Sequence, residues 1–314
     1  MNFGLNRNAW TALDCCNGSD WSAVSVRDGT GARPLVLAAG QVSAASPDAE
    51  RGALEELLGL VDRRLPAIVT LGREQYRLRV MPAPAVPVRE VQATLRWALS
   101  SEADNPLEDF NLAWLPIPTE EHLPSRSPQI YTVVTPTHWL TARHAAWRQA
   151  GMKPKVVDIR ETALRNIAGA LERPGEGLAL LSQDAGGVGM VFTHHGSMYL
   201  DRYIESPLSE YRVADASATA RLHERVALQL LRSIDLIART YPFMPVGRVV
   251  VAPSPEETGL LQFLSAQLPL PVEALDLSRV FDFTAVPELA ASTTMQANCI
   301  VPLGATLRRS GSTA

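Results

Sequence analysis

Residues Gly177–Glu205 have the sequence GLALLSQDAGGVGMVFTHHGSMYLDRYIE. Three short apolar runs in it alternate with two glycine-containing turns, a pattern typical of consecutive β-hairpins. The first turn places Asp184 two residues before Gly186. A glycine after a carboxylate lets the backbone approach a phosphate closely, so this turn is a candidate phosphate-binding element.

A looser version of the pattern lies near the N-terminus. Three strands are predicted there, at Trp10–Leu13, Trp21–Val26 and Pro34–Val42. A helix follows, with apolar residues at i, i+3, i+4 and i+7 from Leu54 to Val61, and then the strand Ala67–Leu71. This βββαβ order is that of ribonuclease-H-like and actin-like folds. Two such units predict an α/β protein with a two-lobed nucleotide-binding architecture.

Composition excludes several classes of protein. The 314 residues, 46% of them apolar, can form a substantial core. A net charge of −4 argues against nucleic acid as a partner. The sequence has no membrane-spanning apolar run and no signal-peptide core, and its three cysteines form no metal or disulfide pattern. We therefore expect a cytoplasmic protein.

The proline-rich segment Met81–Pro87 predicts a domain boundary. We expect a first lobe at 1–84 and 156–175, an α+β insert at 85–155, a second lobe at 176–308 and a disordered tail at 309–314. Ser206–Ser217 is predicted to be irregular, Thr219–Tyr241 and Ser254–Gln267 to be helices, and the second lobe to close with a short helix ending near Arg308.

Several segments resemble the actin-like PilM proteins of type IV pilus and type II secretion assembly. They are similar in particular to the MshI branch, which serves the mannose-sensitive haemagglutinin (MSHA) pilus, and to the cytoplasmic domain of GspL. The segments, in order along the whole chain, are YRLRVMPAP, Val88–Trp114, YTVVTP, Gly151–Ile159, Leu228–Tyr241 and LGATLR.

This resemblance implies an actin-like fold of four subdomains, with the insert in the FtsA-type position. It also implies a partner, the cytoplasmic tail of a bitopic PilN-like inner-membrane protein, which would lie between the first lobe and the insert. The protein would then be peripheral at the inner membrane through that partner. The sequence leaves self-association open.

The residues depart from the family at the predicted nucleotide site. In the first element Asp14 matches, but Cys16 stands where the family has glycine. In the second, Asp184 and Gly186 match, but Gly187–Gly189 replaces a Ser/Thr run. In the third, Pro253–Glu257 replaces a glycine-rich turn, so prolines remove N–H donors and glutamates repel phosphate. We expect ATP and Mg²⁺ binding to be weakened or lost, which leaves a non-catalytic scaffold.

Other functions stay as alternatives. A working ATPase or nucleotide switch of the same fold is the main one, and a sugar-kinase-like enzyme is more distant. Asp14, Asp158 and Asp184 could share a divalent metal, but we favour structural roles for them. The pair His194–His195 is interpreted as exposed polar residues rather than metal ligands.

Four of the six tryptophans lie in or beside the insert, and most are expected to fill its core. Trp97 lies off the apolar stripe of its predicted helix, so we expect it to be accessible and to anchor a partner. Arg79, on the strand that enters the insert, is the second candidate partner-binding residue.

Overall fold

The computed structural model describes residues 9–15, 20–29, 33–43, 50–101, 110–119 and 127–308. Its strands are β1 (Ala9–Asp14), β2 (Asp20–Arg27), β3 (Leu35–Ser43), β4 (Ala67–Leu71), β5 (Arg77–Pro82), β6 (Phe110–Ile117), β7 (Gln129–Pro136), β8 (Pro154–Ile159), β9 (Gly177–Asp184), β10 (Gly187–His194), β11 (Ser197–Glu205), β12 (Val246–Val251) and β13 (Val272–Ala274). Its α-helices are α1 (Glu50–Gly59), α2 (Val88–Ser101), α3 (Thr137–Gln149), α4 (Arg160–Leu171), α5 (Leu208–Val213), α6 (Ala216–Thr240), α7 (Leu260–Gln267), α8 (Pro287–Ala291) and α9 (Thr293–Thr306).

Two five-stranded sheets share one topology. The first has the order β3-β2-β1-β4-β8 and the second β11-β10-β9-β12-β13. In the first sheet, β1 is antiparallel to β2 and parallel to β4. In the second, β9 is likewise antiparallel to β10 and parallel to β12. The strands β9 and β10 are buried along nearly their whole length, so their sequences are almost continuously apolar.

A third, smaller sheet has the order β5-β7-β6 and packs its apolar side against α2. The strand β5, which the sequence analysis assigned to the first lobe, hydrogen-bonds to β7 in this sheet. The proline-rich segment therefore follows the first strand of the small sheet rather than preceding the sheet. We propose that the insert begins at Arg77.

The helices α4 and α9 form the layer between the two large sheets. The helix α9 lies on β1 and β2, α4 lies on β9 and β10, and the two helices pack on each other. At their crossing Gly304 meets the backbone of α4, where an added Cβ would lie 2.2 Å from the Ala163 carbonyl oxygen. Asn166 also donates a hydrogen bond to the Gly304 carbonyl, at 2.9 Å.

Three predictions for the second lobe were wrong. The closing helix α9 has 14 residues and is buried on all sides from Cys299 to Thr306, so this part of its sequence shows no amphipathic period to predict it. The helix α7 begins at Leu260 rather than Ser254, after a non-helical segment that bends at Pro255. The segment predicted to be irregular contains the short helix α5.

The tryptophans only partly follow the prediction. Trp147 on α3 is 2% exposed and packs in the core of the first lobe with residues of β1 and α1. Trp139 is half-buried against the same core, and Trp114 packs on the core of the insert. The helix α3 therefore joins the insert to the first lobe through its two rings.

The crossing of α4 and α9 is expected to tolerate no side chain at Gly304. Gly304→Ala should lower the free energy of unfolding by about 1–3 kcal/mol or more, because backbone atoms of two helices must move apart. Chemical denaturation measures this change. Gly52→Ala is the matched control: a Cβ at Gly52 in α1 meets nothing within 4 Å, so alanine there should be neutral or stabilising by up to about 1 kcal/mol. Equal stability of the two variants would contradict this packing.

Candidate functional site

The first predicted phosphate element is described only at Asp14, because Cys16–Ser19 lie outside the described residues. Asp14 ends β1 and is 8% exposed. Burial raises the pKa of its carboxyl to about 7, although Arg160 and a hydrogen bond from Thr70 act to lower it. Asp14 lies opposite Thr70 of β4 in the sheet register, and Thr70 lies opposite Asp158 of β8. The three residues are therefore neighbours across the end of the first sheet.

The second element is a tight turn that its own aspartate holds. Asp184 Oδ1 accepts hydrogen bonds from the backbone N–H groups of Gly186 and Gly187, both at 2.9 Å. It also accepts one from the hydroxyl of Tyr203 on β11, at 2.8 Å. A Cβ on Gly187 would lie 2.1 Å from the Ile204 carbonyl oxygen, so this glycine is required by strand packing. The amides predicted to hold a phosphate are engaged by Asp184.

Arg160, the first residue of α4, lies between the two elements. Its Nε is 3.5 Å from Asp184 Oδ2, and its Nη2 donates to Ser182 Oγ at 2.8 Å. The same guanidinium acts electrostatically on Asp14, and the Arg160 side chain is 8% exposed. A cation belonging to the chain thus compensates the carboxylates of both lobes.

The next residue in the chain after Arg160 is a second buried acid. Glu161, 3% exposed, accepts hydrogen bonds from Arg73 and from the hydroxyl of Tyr76. The guanidinium of Arg73 lies 4.0 Å above the centre of the Tyr203 ring, whose hydroxyl binds Asp184. This network continues the Asp14–Arg160–Asp184 cluster from the second lobe back to the first.

The third predicted element, after β12, is joined to α5. Arg212 on α5 donates to both carboxylate oxygens of Glu256, with Nε distances of 2.9 and 3.0 Å. This contact lowers the pKa of Glu256. The chain entering α5 is tied to the Asp184 turn as well, since Leu208 N–H donates to the Ala185 carbonyl. The helix α5 therefore connects the second and third elements.

Aromatic rings fill the space beside this connection. The imidazole of His223 on α6 lies 5.6 Å from the Tyr211 ring and 5.1 Å from the Phe263 ring, between centroids. His223 Nε2 also bonds the Thr258 carbonyl oxygen, at 2.9 Å. Burial lowers the pKa of His223, so the ring contributes an apolar, hydrogen-bonded wall rather than a charge.

The metal alternatives gain no support in the part of the chain that is described, where no group of three or more His, Cys, Asp or Glu side chains could hold an ion. Asp158 accepts hydrogen bonds from Thr162 and from the Ile159 N–H, so its carboxylate is engaged where the chain enters α4. The prediction that both histidines are exposed was wrong for His194. It is 5% exposed and packs on Tyr199 and Phe243, whereas His195 is exposed at the turn.

The two candidate partner-binding residues lie on the insert. Trp97 is 68% exposed, as expected from its position off the buried stripe of α2. Arg79 is exposed on β5. It shares a face of the strand with Met81, which packs on the core under α2, because side chains alternate along a strand.

Sequence reasoning missed the residues that complete the cluster. Arg160, Arg73, Tyr203 and Arg212 lie far apart in the sequence, and none belongs to a recognisable motif. The usable signal was the pair Arg160–Glu161 directly after a strand, because two charges at the start of an otherwise buried helix need partners.

No protein-family model and no curated protein sequence matches the chain. Solved structures do resemble it. One is a chain of the PilM–PilN type IV pilus biogenesis complex, with a TM-score of 0.73 and 20% identity over 95% of this chain and 97% of that one. Another is the cytoplasmic domain of EpsL, an inner-membrane component of the Vibrio cholerae type II secretion system, with a TM-score of 0.50 and 14% identity over 96% of both.

A third is a Bacteroides thetaiotaomicron protein with an actin-like ATPase fold, with a TM-score of 0.50 and 9% identity over 93% of this chain and 99% of that one. At identities this low, the structural similarity shows a shared fold and nothing more. The chain therefore has the two-lobed actin-like fold with an insert that its sequence predicted. Among the described helices, none is both long and apolar enough to span a bilayer.

The Arg160 cluster predicts a non-additive pair of substitutions. Arg160→Ala leaves Asp14 and Asp184 without their shared cation, so the free energy of unfolding should fall by about 3–5 kcal/mol. Asp14 has a pKa of about 7 with Arg160 present, and losing Arg160 makes its ionisation still less favourable. Adding Asp14→Asn removes this buried carboxyl and should restore part of the loss, giving a coupling energy of about 1–3 kcal/mol by denaturation.

Glu224→Gln, which neutralises an exposed acid on α6, is the control for Asp14→Asn. It should leave the effect of Arg160→Ala unchanged. If Asp14→Asn and Arg160→Ala add without coupling, Arg160 does not compensate Asp14.

Proposed function

We propose that this chain is a non-catalytic scaffold of a type IV pilus or type II secretion assembly platform, and within these systems of an MSHA-like pilus. Its support is the similarity to the chain of the PilM–PilN complex over 95% of the sequence, together with the similarity to the EpsL cytoplasmic domain. The sequence resemblance to PilM and MshI points the same way. The scaffold would work at the cytoplasmic face of an inner membrane.

We infer that the nucleotide site of this fold is degenerate here. Three observations support the inference. Arg160 supplies the positive charge beside Asp14 and Asp184 that a bound Mg²⁺ would supply. The amides of Gly186 and Gly187 already donate to Asp184. Glu256 and the aromatic side chains of α5 and α7 lie at the third element. The residues present therefore do not fit Mg-ATP.

The proposed partner is the cytoplasmic tail of a bitopic PilN-like inner-membrane protein, which would hold the scaffold at the membrane. We place the tail in a groove bordered by the first lobe and the insert. Trp97 supports an anchor role because a ring that is 68% exposed can lose much apolar surface to a partner. Arg79 would provide a polar contact from β5.

Mg-ATP should not bind. Calorimetric titration at millimolar Mg-ATP should give no heat beyond dilution, and the unfolding midpoint should not rise, because a ligand of the native state must raise it by mass action. Heat and a raised midpoint at sub-millimolar ATP would sink the degenerate-site inference and favour the nucleotide switch. Neither result depends on knowing the partner.

The tail should bind through the insert. A synthetic peptide of the tail of the PilN-like protein from the same organism should lose affinity about tenfold or more on Trp97→Ala, which is about 1.4 kcal/mol, and less on Arg79→Ala. Val213→Ala is the matched control, since Val213 is 86% exposed but lies on α5 in the second lobe. Fluorescence anisotropy measures the affinities. An equal loss of peptide affinity for all three variants would show that the insert does not contact the tail.

A further inference from the structure

Two cavities meet along the edge strand β11. The first, of about 650 Å³, lies between the insert sheet and the second lobe. The second, of about 730 Å³, lies between β11 and α6. Arg202 on β11 lines both cavities. They form one groove, here called the β11 groove, that follows the strand from Tyr199 to Glu205.

The strand β11 turns part of its backbone toward this groove. It is an outer strand of the second sheet and hydrogen-bonds to β10 on one side. Ser206 N–H donates to the Gly186 carbonyl at 3.2 Å. Because antiparallel ladders alternate, even-numbered residues turn their backbone groups toward β10, and Tyr203 and Glu205 turn theirs outward. Consistent with this, Arg225 reaches the outward carbonyl of Glu205 at 2.7 Å.

One end of the groove is apolar. Val80 on β5 and Leu236 on α6 line it and are 45% and 38% exposed. Its floor includes the rings of Tyr199 and Tyr241, packed edge to face with centroids 4.9 Å apart. This end can bury one or two apolar side chains of an occupant.

The other end is basic. Arg202, Arg225 and Arg232 line it. Arg225 lies 3.6 Å from Glu210, whereas Arg202 and Arg232 form no ion pair with any residue that the structure describes. Arg202 acts electrostatically on the neighbouring Asp201. In a chain of net charge −4, this end is a local concentration of positive charge.

We propose that the β11 groove binds an extended, acidic segment of a partner protein, which adds to the second sheet as a sixth strand. Main-chain hydrogen bonds to Tyr203 and to the N–H of Glu205, whose carbonyl binds Arg225, would supply affinity, while side chains at alternate positions would supply specificity. Apolar residues fit the end near Tyr241, and carboxylates fit Arg202 and Arg232. At about 3.3 Å per residue, the strand from Tyr199 to Glu205 accommodates a segment of about seven residues.

This surface is separate from the groove proposed for the membrane-protein tail, and it adds a second partner to the scaffold. The probe is a fluorescein-labelled decapeptide with three apolar residues followed by glutamates alternating with threonines. The reversed sequence is the second probe, because an added strand can run in either direction. We expect one of the two to bind, and the same peptides with lysine in place of glutamate not to bind.

Charge and backbone variants locate the binding. Arg232→Glu should weaken the acidic peptide about tenfold or more, whereas Arg221→Glu, an equal charge change at an exposed arginine of α6 outside the groove, should change it less than about twofold. Glu205→Pro should abolish binding, because proline removes the outward N–H and blocks strand addition, whereas Glu205→Ala should retain it.

Hydrogen exchange of wild-type protein should show new protection at Tyr203 and Glu205 with peptide bound. Unchanged unfolding midpoints show that each variant is folded. The proposal is overturned if neither acidic peptide binds at millimolar concentration, or if Glu205→Pro binds as Glu205→Ala does. It is overturned equally if anionic phospholipid vesicles bind the groove and the peptides do not. It is also overturned if the chain forms a dimer that Glu205→Pro abolishes, because a second copy of the chain would then occupy the groove. The tail peptide should bind Arg232→Glu as it binds wild type, which separates this proposal from the proposed function.

Discussion

The close crossing of α4 and α9 is the constraint on which the arrangement of the two lobes depends. The helix α9 lies on the first sheet and α4 on the second, so the distance between the sheets is set where the helices touch. That contact is possible because Gly304 has no side chain to hold the Ala163 carbonyl away. From Cys299 to Thr306 the helix α9 is buried on all sides, so it has no solvent face there to absorb a shift at the crossing.

The same crossing decides the electrostatics between the lobes. It fixes the first residue of α4, Arg160, between Asp14 of one sheet and Asp184 of the other. Two buried carboxylates that face each other would repel, and an actin-like protein that binds nucleotide can balance such charge with a bound cation. Here the compensating charge is covalently part of the chain. Such a cluster links the two lobes through side chains of the chain itself, which accords with the function proposed above.

The insert presents two different surfaces. The face of β5 that carries Leu78 packs toward the cores of the lobes, whereas the face that carries Met81 packs on the core under α2. Trp97 lies on the outer side of α2. The β11 groove lies on the opposite side, between the insert and the second lobe. The small sheet thus borders the β11 groove on one face and the core under α2 on the other.

The sequence by itself determined the local elements and the fold class. Alternating or continuous apolar runs between glycine turns predicted β1, β4, β9 and β10, and the amphipathic stripe of α6 predicted the longest helix, because these signals are local. It also predicted that Trp97 is exposed. Tertiary structure alone decided that β5 pairs with β7, that α9 is a long buried helix, and that His194 is enclosed by Tyr199 and Phe243. It alone brought Arg160 between Asp14 and Asp184, since charge compensation depends on distances between residues that are remote in the chain, and no sequence period encodes those distances.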